Sequence, residues 1–283
     1  MIENTSMLKI SFWEQENMNY SIVIATYNRL VELAELLESI VRQSVRPKEV
    51  IIVNDAGESV EVLSELYPEL SIKITSFLEN KGHVEARNTG VRQAAEDIIM
   101  LCDDDDLLTE NHAATMLKAL RDADLVYSDV EIVEFQRVGS VRVPVNRRTF
   151  AYLYDHSLMR RFSTYVPSGS MYKKKLHEEI GFFDKSVHNY WDWDFMLRAA
   201  SCCRVKRVPV AGVLYAFSAG GDNQSASMSE QRKTYLDRLS KKHNLGELPT
   251  KNFFLLLEEP EMKALEQNTL RVWNGAPFRS RLI

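Results

Sequence analysis

The chain of 283 residues has only three cysteines, Cys102, Cys202 and Cys203, with no CxxC spacing and no even framework. That excludes a disulfide scaffold, argues against a cysteine zinc site and fits a reducing compartment. No apolar run approaches the roughly 20 residues that a membrane-spanning helix needs. The N-terminus lacks a basic segment followed by an apolar one, so a cytoplasmic location is expected rather than secretion. Internal repeats and low-complexity segments are also missing. What is present suffices for a real core: 45% of residues are hydrophobic and 27% are charged. This fits one large α/β domain, with or without a C-terminal appendage.

Charge is unevenly spread. Residues 1–140 carry 12 Lys/Arg against 26 Asp/Glu, a net of −14, and residues 141–283 carry 23 against 14, a net of +9. The acidic half suits a cation, and the basic half suits phosphates or an anionic surface. Drift in surface composition accounts for the split equally well.

Short β-branched runs alternate with amphipathic segments. Strands are expected at 20–26, 49–55, 71–77, 97–102 and 124–128, with helices at 30–41, 58–67, 82–95 and 109–121. Asn28 is placed to cap the first of these helices. Residues 1–19 read as a loosely attached leader. Such alternation implies right-handed βαβ units and a mostly parallel sheet with helices on both faces. Ligands bind such sheets beyond the carboxyl ends of the strands. That rule selects Thr26, Tyr27 and Asn28, then Asn54 and Asp55, then Asp103 to Asp106. Further along, 147–162 reads as a helix with basic clusters, and 168–184 as a strand and helix ended by Gly181. Residues 192–200 read as a helix, 205–208 and 211–217 as two strands, and 218–227 as a flexible loop. Residues 228–283 read as one or two amphipathic helices and a tail.

The run "LCDDDDLL" (101–108) places four carboxylates at one strand end. A hard divalent cation such as Mg²⁺ or Mn²⁺ would offset their repulsion. A helix N-terminus explains one or two of the acids but hardly four.

Four segments together, "SIVIATYNR" (21–29), "VIIVNDAG" (50–57), "ENKGHVEARNTGV" (79–91) and "IIMLCDDDDLLTEN" (98–111), resemble the family 2 glycosyltransferases of GT-A fold in order and spacing. The resemblance covers roughly residues 20–220. It implies a GT-A domain at 20–227, divided into a nucleotide-sugar half (20–128) and an acceptor half (129–227), with a helical extension at 228–283. It also implies inverting transfer of a sugar from a nucleotide-sugar, UDP-linked by expectation, to a carbohydrate or glycolipid hydroxyl. Polysaccharide or glycoconjugate synthesis is the expected setting. No nucleic-acid partner is expected, a peripheral membrane contact is one use for the basic clusters, and oligomeric state is left open.

The same resemblance implies residue roles. Thr26, Tyr27 and Asn28 would border the nucleotide, and Asp55 would bond the base. Asn54 and Ala56 depart from the family pattern, which often reads "VDDGS". Lys81, Gly82 and Arg87 would border the diphosphate, although Arg87 also reads as a surface helix residue. Asp103 and Asp105 become the two acids of the DxD signature and the Mn²⁺ or Mg²⁺ ligands. Asp104 stands at an unusual position beside the donor, and Asp106 would support the turn or cap the next helix. Asp192 takes the place of the general base, with helix capping as its alternative role and Asp194 as its alternative residue. Ser168, Gly169, Trp191 and Trp193 would face the acceptor, although the tryptophans fit core packing equally well. A late His that completes many such metal sites is missing, and Phe217 or Ser218 stands near its position, with Asp222 or water as substitutes. His83 is placed to touch phosphate, whereas His156, His177 and His188 suit packing or surface roles.

Two other readings remain. A sugar-phosphate nucleotidylyltransferase shares the crevice but would carry a Gly-rich loop after the first strand, where "TYNRLVEL" enters a helix directly. A non-catalytic nucleotide-sugar-binding protein fits the missing His and the altered "NDAG".

Overall fold

The computed structural model describes residues 18–217, 230–248 and 257–282. Strands β1 (Ser21–Thr26), β2 (Glu49–Asn54), β3 (Ile72–Ser76) and β4 (Ile98–Asp103) lie parallel in the order β3-β2-β1-β4. Both β1 and β2 are buried along their whole length. That is why each reads as a continuous apolar run and not as an alternation. Pairing of Thr26 with Asn54 and of Ala25 with Asp103 brings three polar strand ends side by side.

Helices α1 (Leu30–Val41), α2 (Val62–Leu66), α3 (His83–Gln93) and α4 (His112–Leu120) follow the expected pattern with trimmed ends. Successive strand residues face opposite sides. Ile22 and Ile24 of β1 therefore join a core with α1 and α4, while Val23 and Ala25 join a second core with α3. The second core is completed by α7 (Trp191–Cys202). Gly90 sets the approach of α3 to the sheet, because an added Cβ would lie 2.5 Å from Val23 Cγ1.

Beyond β4 the sheet continues through antiparallel β8 (Met171–Lys173), then β6 (Leu125–Val138), β9 (Val205–Ala216) and β10 (Leu270–Arg271). A two-residue strand, β5 (Leu107–Leu108), leaves the aspartate turn and pairs with β9. The result is a mixed α/β sheet, mostly parallel, with helices on both faces.

Three local expectations change. Residues 147–150 are not helical: they close β7 (Val141–Phe150), which forms a hairpin with an unexpectedly long β6. Its Arg147 has a cross-strand partner. Arg147 donates to the fully buried Glu131 at 2.8 and 3.0 Å, and Arg271 of β10 adds a third bond at 2.9 Å. Only α5 (His156–Met159) is helical in this stretch. The two strands expected at 205–217 are one, β9, whose register shifts opposite Ser128 and Asp129, where Arg207 grips Asp129 through two bonds of 2.7 Å. Asn28 caps nothing: it has φ +55°, and its side-chain oxygen accepts from Glu58 N at 2.8 Å, so it fastens one strand-end loop to the next.

Near the C-terminus, α8 (Glu230–His243) and α9 (Pro260–Lys263) accompany β10, which the periodicity did not reveal. Arg281 then returns to the first helices, donating to Glu69 at 2.9 Å and to Leu66 O at 2.8 Å. Among the described residues, no helix is long and apolar enough to cross a membrane.

Candidate active site

The strand ends open into a cavity of about 700 Å³. Thr26, Tyr27, Asn28, Asp55, Arg87, Asp103, Asp104 and Asp105 all line it, as do Arg29 and His83. Asp55 is buried, and its carboxylate accepts from Lys81 N at 2.6 Å and Gly82 N at 2.9 Å. It thus holds the loop that enters α3. Gly82 has φ +87°, and its extra room matters less than this left-handed backbone, since an added Cβ would meet only His188 Nε2 at 3.7 Å. The Asn54 side chain closes the preceding turn by accepting from Gly57 N at 2.8 Å and donating to Glu58 O at 2.7 Å. An aspartate there could not donate. Ala56 has φ +63°, a conformation that favours the glycine common at this position.

Four carboxylates in one turn are balanced by two arginines from other elements. Arg29, directly after the first strand end, reaches Asp104 at 3.2 Å and Asp105 at 2.5 Å. Arg87 of α3 pairs with Asp103, lies 2.7 Å from His83 Nδ1, and stacks over Trp191 with its guanidinium carbon 4.6 Å from the ring centre. Burial, reinforced by the Asp105 charge, pushes the Asp104 carboxyl up to about 7. Burial also raises Asp105, despite the opposing Arg29, and raises Asp106 well above its ordinary value. Asp106 caps no helix; it accepts from Ala216 N at 2.9 Å and ties the turn to the end of β9. Burial, helped by Arg87 and His188, holds the His83 imidazole well below its usual value and keeps it neutral.

The opposite wall comes from residues 161–167, the residues before and at the start of α7, and α8. A 3₁₀ turn (Lys185–Tyr190) runs into α7, so that Trp191, Asp192 and Trp193 face the cavity. Asp192 is half-buried, and its carboxyl is pushed up to about 6 by burial, with the Asp103 charge adding to the shift and the Trp193 N–H opposing it. Trp191 and Trp193 are largely buried, so each serves both core and cavity wall. The Trp193 indole N–H is committed to Met159 O at 2.6 Å. Asp194 cannot substitute for Asp192. It is fully buried and held by Arg198 at 2.8 Å, Lys242 at 2.7 Å and His243 at 2.8 Å.

The sequence model for glycosyl transferase family 2 matches residues 21–181, more than half of the chain. An uncharacterized glycosyltransferase of Bacillus subtilis, YwdF, is 61% identical over 265 residues, covering 94% of this chain and 99% of the relative. The chain is a family 2 glycosyltransferase. The Staphylococcus aureus poly(ribitol-phosphate) beta-N-acetylglucosaminyltransferase TarS is 27% identical over 133 residues, which are 45% of this transferase and 22% of TarS. The crystal structure of TarS residues 1–349 in complex with UDP-GlcNAc superposes with a TM-score of 0.59 at 20% identity, covering 80% of this chain and 66% of that one. The fold is therefore of GT-A type. Membership of the family sets aside both the nucleotidylyltransferase and the binding-only readings.

Not every residue singled out in this transferase reaches the cavity. The Lys81 side chain is exposed and lies over the Phe77 ring at 4.9 Å; only its backbone serves the site, through Asp55. Ser168 and Gly169 are behind the strand end. Ser168 Oγ accepts from Asp103 N at 3.1 Å, and Gly169 packs with an added Cβ only 2.3 Å from Val213 Cγ2. Phe217 is buried in the core, and Ser218 and Asp222 fall outside the described residues. Conversely, Arg29 and Arg142 carry no signal of their own in the sequence, apart from the position of Arg29 beside a strand end. Arg142 pairs with buried Glu35 and donates to Asp105 O at 2.9 Å, which fixes the aspartate turn from behind.

Proposed function

We propose that this glycosyltransferase moves a sugar from a nucleotide-sugar, with UDP-linked donors as the class, to an acceptor hydroxyl with inversion at the anomeric carbon. The observation that carries this reading is that Asp192 and the strand-end group of Arg87, Asp103 and Asp105 face one cavity. The TarS complexes with UDP-GlcNAc and UDP support the donor class, because the two chains share a fold. The acceptor oxygen would form a bond to the anomeric carbon as the bond to the diphosphate oxygen breaks. The hydroxyl proton passes to the Asp192 carboxylate, and the electron pair leaves with the nucleoside diphosphate. Arg87 and Arg29, already turned into the cavity, stabilise the charge that develops on the departing group.

Asp103 and Asp105 are hard oxygen donors, and they fit an Mg²⁺ or Mn²⁺ ion held by one or two carboxylates and completed by donor phosphates and water. Among the described residues, no group of three His, Cys, Asp or Glu side chains is arranged to hold an ion alone. Burial, with neighbouring carboxylates, raises Asp104 and Asp105, and a bound cation would favour their ionised forms. When bound, such an ion would neutralise charge on the diphosphate. Polymer or glycoconjugate synthesis is the setting in which such a transfer belongs.

Calorimetry with a panel of nucleotide-sugars, with and without Mn²⁺, tests this proposal. UDP-sugars should bind, and more tightly with Mn²⁺ present. Preference for another nucleotide would overturn the donor class, and equal affinity without Mn²⁺ would overturn the metal assignment.

A further inference from the structure

Asp55 fixes the loop that enters α3 through Lys81 N and Gly82 N, so His83, the first residue of that helix, has a set position. Arg87 stands one helical turn later on the same face. Its guanidinium is met from several elements. Nη2 donates to Asp103 of β4, Nη1 donates to His83 Nδ1 at 2.7 Å and to His83 O at 3.2 Å, and the Trp191 ring of α7 packs on its face. A guanidinium has donors only, so His83 Nδ1 must be the lone-pair nitrogen and the ring proton must sit on Nε2. That nitrogen lies 3.3 Å from Nδ1 of His188 in the 3₁₀ turn, with the two rings edge to face at 89°. His188 Nδ1 must in turn accept. Tyr235 of α8 stacks on the His188 ring, 5.3 Å between centres and 19° between planes. Hydrogen bonds thus run in one direction, from Arg87 to His83 to His188, and both imidazoles are neutral, as burial favours.

We infer that His83, held in one tautomer by His188, is a positioning residue that sets the Arg87 guanidinium toward the departing diphosphate. The inference rests on the assignment of Arg87 to the leaving group given above. The sequence places His83 to touch phosphate itself, but its Nδ1 is already taken by Arg87, so its effect on the donor passes through that arginine. An apolar side chain at 83 would leave Nη1 with a backbone carbonyl alone. The guanidinium could then turn further onto the Asp103 carboxylate, which would quench the charge that the diphosphate needs. His188 removes the other tautomer of His83, in which an Nδ1–H would face the Arg87 N–H, donor against donor.

UDP carries the full charge that the leaving group develops, so its affinity reads Arg87 directly, and uridine serves as the probe without phosphates. Calorimetry with Mn²⁺ in the buffer should show that His83→Leu weakens UDP about tenfold and changes uridine binding less than about twofold. His83→Asn, whose amide oxygen can accept from Nη1, should recover UDP affinity to within about threefold of wild type. In an Arg87→Ala background, His83→Leu should change UDP affinity less than about twofold, because the partner through which it acts is gone. His188→Phe, which keeps the stack on Tyr235 but removes the acceptor, should cost about threefold. Should His83→Leu fail to fold, His83→Ala carries the same expectations. An unaffected His83→Leu, an equal loss for uridine, the same loss without Arg87, or no rescue by asparagine would overturn the inference while the donor site stands. An unaffected His188→Phe would overturn the part given to His188. Wild-type UDP affinity in Arg87→Ala, or a wild-type protein that binds no UDP, would overturn the leaving-group or donor reading and this inference with it.

Discussion

The strand-end side of the cavity and the wall opposite are built by different means. The strand ends are fixed by register: Thr26, Asn54 and Asp103 lie together because β1, β2 and β4 are parallel and buried. The wall is assembled from distant segments and clamped by charge, with Asp194 of α7 holding Arg198 within the helix and Lys242 and His243 from α8. A periodic pattern therefore determines where the strand-end acids stand, whereas ion pairs across long sequence separations determine what faces them.

On the strand-end side, Arg87 carries the largest expected effect. Arg87→Ala removes the partner of Asp103 and, on the proposed mechanism, the cation that would face the leaving group, so the transfer rate should fall about 10²–10³-fold in steady-state assays. A fall of less than tenfold would mean that Arg29 alone suffices, by the same electrostatic argument. On the wall, Asp194→Asn strips the buried partner from Arg198, Lys242 and His243 and should cost about 3 kcal/mol in urea denaturation. Bonds and charges from His243, Arg198 and Lys242 outweigh burial and hold the Asp194 carboxyl at about 2. Its contribution is therefore present above the unfolded value of roughly 4 and is lost as pH falls toward about 2. A variant as stable as wild type at neutral pH would show that the clamp is dispensable. The smallest effect belongs to the strand-end loop: Ala56→Gly relieves a φ of +63° and should raise stability by about 1 kcal/mol in the same assay. An unchanged midpoint would mean that the turn carries no such strain.

The legibility of the chain follows the same division. Between residues 20 and 121, β-branched runs and a 3.6-residue stripe locate four strands and four helices and miss only the two-residue β5, which is too short to carry a period. The hairpin of β6 and β7 escaped because Arg147 and Arg148 read as part of a basic helix face, whereas Arg147 is matched to Glu131 across the hairpin. β10 escaped because two residues carry no period at all. In the candidate site, acids at strand ends could be found by the strand-end rule. Ser168 and Gly169 could not be sorted from cavity residues, since a buried Ser that accepts from a backbone N–H looks like a ligand contact in sequence. Arg29, Arg161 and Arg232 needed the fold to bring them into one cavity.

The central claim is that Asp192 takes the acceptor proton, and Asp192→Asn tests it most directly when transfer and donor affinity are measured on the same preparation. Wild-type turnover should fall as pH drops through about 6, where burial has placed the carboxyl, because the base must be ionised. The account predicts that the variant loses at least about 100-fold in kcat, loses that acid limb, and binds donor within about twofold of wild type. A variant that keeps its turnover, or that loses donor affinity together with turnover, would contradict it.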